Sequence, residues 1–256
     1  IYSDTDTYWK AVGFLGEKAK FGAAFRKAGL DPENLGDIAD GLVTSGLATR
    51  PSELTGRYGF LDVFASDIVK ETMPIYSRVP EVIKSIRRIP VAGNFVAFPA
   101  EVIRNSTNIV QRGMKEMGFK ASDDLIQKIG EQNARKLERE IRAIGANRVT
   151  SYIGSAFVVP TAIAKASYAA TGMTEEDVQK MKPLMPYFMD GHQVMSLAKP
   201  KDGKWQHADL SYMMPYDFAL TPARRAMEIY SQKGSLGASE IEQISSAALG
   251  AFASFM

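Results

Sequence analysis

The chain of 256 residues contains no cysteine. Disulfides, thiolate metal sites and cysteine nucleophiles are therefore excluded, and the redox compartment stays open. It has two histidines, His192 and His207, which leaves little for a histidine-based metal or catalytic cluster. Net charge is nearly absent, at +2, so the chain as a whole is not a basic nucleic-acid binder. It also lacks a Walker loop, a dinucleotide fingerprint, HExxH, an EF-hand loop and GxSxG. No internal repeat or low-complexity tract appears. No cofactor is expected, no small-molecule substrate is evident, and the chain itself is expected not to be an enzyme.

What is present is helical periodicity. Trp9, Val12, Phe14, Leu15, Phe21, Phe25 and Leu30 recur at spacings near 3.6 and predict a helix over 4–29. "GLDPENLGDIADGL" breaks and restarts it, with Asp31 as N-cap and Pro32 at the first helical position. Another helix is expected over 61–75. Pro74, Pro80, Pro90 and Pro99 then cut the chain into short pieces. An amphipathic helix follows, ending near Gly118. Ser122 is a good N-cap for the next one, in which Ala134, Leu137, Ile141 and Ile144 form a packing stripe. Glu131 with Arg135 and Glu138 with Arg142 add i,i+4 pairs. Thr174 caps a later helix with acids in its first turn.

Residues 149–164 form a run of 16 without charge, shorter than the ~20 apolar residues of a spanning helix. That run, and the uncharged 244–256, read either as buried helix or as membrane-active segments. Phe157, Val158, Val159, Phe252 and Phe255 are the candidate membrane or assembly contacts. The chain opens at Ile1 and closes on "ISSAALGAFASFM", so the expectation is a segment of a longer protein. Its expected divisions are 1–60, 61–173 and 174–256. The fold expected is mainly α: a segmented multi-helix bundle with one short β-hairpin at about 193–210, turning at Asp202-Gly203.

The hairpin carries rare residue types. Strand alternation sets His207 and Asp209 on one face, with Ser211 two further on. A triad needs its base between nucleophile and acid, which i, i+2, i+4 on one strand does not give. Asp209 is read instead as bracing the turn that follows it, and Trp205, Tyr212 and Tyr216 as a docking surface. Charge is uneven elsewhere. From Arg78 to Lys120, eight basic residues stand against three acidic, an excess of five. Lys84, Arg87, Arg88, Arg104 and Arg112 are the candidate DNA or polyanion contacts. A solvated helix face or a salt bridge between subunits is the plainer reading of the same charges.

"RIPVAGNFVAFPAEVIRNSTNIVQRGMKEM" and "DGKWQHADLSYMMPYDFALTPARRAM" resemble segments of very large phage proteins. These are the internal virion (ejection) proteins of short-tailed phages and the multidomain polyvalent proteins delivered with phage DNA. The resemblance covers about residues 75–230. It implies a structural role in genome delivery through the host envelope, located first in the virion interior. It also implies homo-oligomers, partners among core or portal proteins, and possible contacts with DNA and host membrane; no catalytic residue comes with it. The rival is a segment of a virion-associated enzyme whose active site lies elsewhere. "ELTGR" at 53–57 resembles a single-subunit RNA polymerase motif, with Glu53 where Asp or Thr is usual. "ASEIEQISSAALGA" resembles a cell-wall transglycosylase segment without its Glu-Ser start.

Overall fold

The computed structural model describes residues 2–49, 58–74, 93–185, 192–201 and 204–210. These are mainly helical, with one two-stranded antiparallel hairpin among them, as the sequence pattern predicts. They fall into two compact units. One is drawn from within Ile1–Ile75 and Thr107–Tyr152, the other from within Tyr76–Ser106 and Ile153–Met256. The consecutive division expected from the sequence is not followed, because helices group by complementary faces and not by chain order.

In the first unit, α1 (Tyr2–Lys27) closes with a Schellman turn. The Leu30 N–H donates to the Phe25 carbonyl and the Gly29 N–H to that of Arg26. Gly29 sits at φ 82°, where a Cβ is disfavoured. Asp31 does not cap a helix as expected. Its Oδ1 accepts from the Glu33 N–H and its carbonyl from the Asn34 N–H, both at 3.1 Å, which makes a local turn. Helix formation resumes with a 3₁₀ turn (Gly36–Ile38) and α2 (Ala39–Thr44). The next helix, α3 (Phe60–Thr72), packs along α1. There Phe21 meets Phe64 edge to face at 4.8 Å, and Phe64 stacks on Phe60 at 5.9 Å.

Helix α4 (Gly93–Met117) follows, then α5 (Asp123–Ile129), whose Ser122 Oγ accepts the Leu125 N–H at 3.3 Å. The sequence suggests one helix onward from Ser122. Gly130, at φ 80°, splits it, and α6 (Glu131–Ile153) starts afresh. The stripe of Ala134, Leu137, Ile141 and Ile144 is buried as expected, alongside Phe21, Phe25, Leu42, Ile68 and Leu125. Each large apolar side chain so buried contributes about 1.5–3 kcal/mol. The last two turns of α4 lie against α6 at Gly113 and Gly145. A Cβ on Gly145 would stand 2.5 Å from the Gly113 carbonyl oxygen and 2.6 Å from the Met117 nitrogen.

In the second unit, a π-helical turn (Gly154–Val158) precedes α7 (Val159–Thr171), with α8 (Glu175–Met181) after it. Thr174 caps α8 reciprocally: its N–H donates to Asp177 Oδ2 at 2.9 Å, and the Asp177 N–H donates to Thr174 Oγ1 at 3.2 Å. That bonding holds the Asp177 carboxyl below the usual range. Strands β1 (Val194–Lys201) and β2 (Lys204–Asp209) form the hairpin, and α7 packs on β1.

Candidate functional site

The hairpin is closed at its open end by polar contacts. The Leu210 N–H donates to the Gln193 carbonyl at 2.7 Å, and His192 Nδ1 lies 2.6 Å from Asp209 Oδ2. The His192 side chain is fully buried and that of Asp209 nearly so. The carboxylate therefore fixes which ring nitrogen faces it. Two contacts tie β1 to α7: Tyr168 Oη donates to the Val194 carbonyl at 2.7 Å, and the Ser196 N–H donates to Ser167 Oγ at 3.0 Å. Burial pushes the Tyr168 hydroxyl pKa up, which keeps it a donor.

The acid thus pairs with the other histidine. His207, expected beside Asp209, is exposed and stands opposite Ser196. The cause is register. Lys201 faces Lys204 at the turn, and a regular ladder would set Val194 opposite Ser211. Irregularities between Ser196 and Ala198, and between Ala198 and Lys201, slide Val194 onto Asp209 instead. Asp209 reaches His192, two residues before β1; the turn after β2 that it was expected to brace lies outside the described residues. The pair contains acid–base groups, yet the described contacts use them to fasten strand ends. Among the described residues no group of three or more metal-ligating side chains is gathered.

The polyanion candidates separate. Lys84, Arg87 and Arg88 lie outside the described residues. Arg104 is half-buried, with Nε 3.0 Å and Nη2 2.9 Å from the two oxygens of buried Glu101, and Nη2 2.7 Å from Asn105 Oδ1. Arg112, expected to face a phosphate, is buried in the first unit. Its Nε donates to Glu116 Oε1 at 2.8 Å, and its guanidinium lies 5.0 Å over the Phe64 ring. A guanidinium enclosed in this way cannot reach a phosphate backbone.

Arg112 belongs to an ionic cluster that the charge count did not reveal. Arg148 donates to Glu116 at 2.9 and 3.0 Å and to Glu17 at 2.8 and 2.9 Å. Glu71 approaches Arg112 at 3.8 Å, and Lys20 pairs with Glu17 at 2.8 Å. Burial raises the Glu17 pKa, but Arg148 and then Lys20 outweigh it and hold the carboxyl below its usual range. Burial likewise opposes the charge on Arg148, and Glu17 and Glu116 reverse that, raising its pKa. Arg112–Glu116 at i,i+4 and Glu17–Lys20 at i,i+3 are the parts of the cluster with a legible spacing.

In the uncharged run, Ala156, Pro160 and Ala164 are buried, Phe157 is half-buried, and Val158 and Val159 are 56% and 45% exposed. Small residues face inward and branched ones outward. No described helix is long and apolar enough to cross a membrane. Trp205 is half-buried on β2. Tyr212, Tyr216, Phe252, Phe255, the "ELTGR" stretch and the segment 244–256 lie outside the described residues. Comparison with protein-family models, with curated proteins and with solved structures finds no match.

Proposed function

We propose that the chain is a structural, assembly-forming part of a phage internal virion (ejection) protein, which helps deliver the genome through the host envelope. One observation carries the assembly half of this reading. A few charged groups are enclosed within the fold, while several large apolar groups are left outside. Glu101, Arg112 and Glu116 are buried, whereas Tyr8, Trp9, Leu15, Met114 and Val158 are each more than half exposed. Single exposed apolar residues are ordinary, but several on α1, on α4 and in the π-helical turn suit a protein that works among partners. The phage half rests on the resemblance of residues 75–230, and on the suitability of a cysteine-free helical chain for unfolding and refolding without disulfide traps.

Three measurements on the purified chain test the reading. Sedimentation velocity should show concentration-dependent oligomers. Flotation with anionic liposomes should recover the protein and fail for Val158→Asp with Val159→Asp, since these side chains are exposed. Retention on DNA should be salt-sensitive and weakened by Arg87→Glu with Arg88→Glu. A chain that stays monomeric, never floats and is not retained on DNA sinks the proposal.

A further inference from the structure

Helix α6 runs into α7 without a loop: residues 131–171 stay helical, passing through the π-helical turn at Gly154–Val158. Both sides of that turn are fastened. On α6, Arg148 is held by Glu17 and Glu116, and Tyr152 is buried. On α7, Ser167 Oγ accepts from the Ser196 N–H, and Tyr168 Oη donates to the Val194 carbonyl. Between these anchors, after Tyr152, the chain leaves the first unit for the second.

The passage is built from residues that loosen a helix. Helices change direction at proline, at Gly-Ser pairs and at π-turns. Residues 154–160 hold all three: Gly154-Ser155, the π-turn itself and Pro160. Pro160 offers no N–H to the turn before it. There the Val159 N–H reaches back to the Gly154 carbonyl, and Thr161 Oγ1 donates to the Phe157 carbonyl at 2.8 Å. Gly154 is not required for space. A Cβ on it would meet nothing within 4 Å, and its φ is not positive. Gly113 and Gly145 have a close crossing to explain them; at 154 what glycine supplies is backbone freedom inside a helix. Side-chain packing does not lock the turn either, since Ile153, Val158 and Val159 are 47%, 56% and 45% exposed.

The other described passage between the units lies within α4, after Ser106. It is weakened in its own way. Asn105, Ser106, Thr107 and Asn108 are four poor helix formers in a row. Ser106 Oγ donates to the Val102 carbonyl at 2.7 Å, a bond that competes with the helix ladder. A third passage, after Ile75, lies outside the described residues. Both described connectors are thus pliant where the units part.

We propose that Gly154–Pro160 is a hinge, on which α7 and the hairpin fastened to it turn as one body relative to α6. The proposal goes beyond the phage reading and does not need it.

The absence of cysteine lets spin labels be placed at will in the whole chain. Arg139→Cys with Ala166→Cys puts labels at exposed positions on α6 and α7, about 40 Å apart if the two helices ran straight. Gln132→Cys with Asn147→Cys, both exposed on α6, is the control. Pulsed electron–electron resonance should give the first pair a distance distribution about twice as broad as the control, or broader. Adding Gly154→Ala with Pro160→Ala should narrow it to about the control width. A third pair, Arg139→Cys with Gln206→Cys on β2, should broaden and narrow in step with the first. A first-pair distribution as narrow as the control overturns the proposal and leaves the π-turn as a fixed accommodation of Pro160. So does a breadth unchanged by Gly154→Ala with Pro160→Ala, and a hairpin distance that does not follow α7 refutes their moving as one body. Should the double alanine variant fail to fold, amide hydrogen exchange on the unaltered chain decides: amides of 156–159 should exchange about tenfold faster or more than those of 141–144, and equal protection refutes the hinge.

Discussion

The ionic cluster of the first unit and the hairpin of the second satisfy their buried polar groups differently, although the second unit also holds the buried Glu101–Arg104 pair. In the first, side-chain charges answer one another: Glu17 and Glu116 share Arg148, and Arg112 adds to Glu116. In the second, the polar contacts around the hairpin mostly end on backbone or hydroxyl groups, and His192–Asp209 is the ionisable exception. The distinction predicts different failures. A charge cluster is costly to break in part, because each survivor is left buried without its partner. A hydroxyl-to-backbone contact loses a single bond.

The largest expected effect follows from that asymmetry. Arg148→Met leaves Glu17 and Glu116 short of their main partner and should destabilise the first unit by about 3–5 kcal/mol. Replacing all three together, with Glu17→Leu and Glu116→Leu added, should restore most of that loss. Urea unfolding, followed by far-UV circular dichroism, measures both. If the triple variant is no better than Arg148→Met, the cluster does more than satisfy its own charges. Next, Gly145→Ala drives a Cβ into the Gly113 carbonyl and should cost about 1–3 kcal/mol by the same measurement. An unchanged midpoint would mean that the helices part freely at this crossing.

The hairpin supplies the contrasting test. Asp209→Asn keeps shape but removes the charge facing His192, and should cost about 1–3 kcal/mol, confined to the second unit. Amide hydrogen exchange should show faster exchange at Leu210, with protection at Leu137 and Ile141 unaltered. Acid gives a further test of the cluster in the first unit. Because Glu17 titrates below its ordinary 4.5 in the folded state, the stability it contributes is complete above that value. It is lost as pH falls below 4.5 towards the lowered folded value. Arg148→Met should flatten this acid limb; an acid limb of equal slope in the variant would count against the assignment.

Much of the local structure was legible in the chain. The stripe from Ala134 to Ile144, the Ser122 and Thr174 caps and the hairpin are set by neighbours within a few residues, which periodicity and capping chemistry report. The candidate sites were less legible for two physical reasons. Counting charges from Arg78 to Lys120 cannot say which face of a helix is inward, and Glu17 meets Arg148 across 131 residues of sequence. In the hairpin, two irregularities reset the register and gave Asp209 to His192 instead of His207. Neither follows from strand alternation.

The smallest effect marks the lower bound of the comparison. Glu131 and Arg135 form an i,i+4 pair on the surface of α6, on the same helix as Arg148. Their side chains are 68% and 76% exposed, so water screens the attraction and both chains give up rotamer freedom to make it. Glu131→Gln should therefore shift stability by no more than about 0.5 kcal/mol, against several for Arg148→Met. Measured side by side in urea, the two substitutions ask whether burial, and not ion pairing as such, sets the worth of a charge on this helix. Comparable losses would place the strength of the first unit in its surface pairs and remove the special role of Glu17, Glu116 and Arg148.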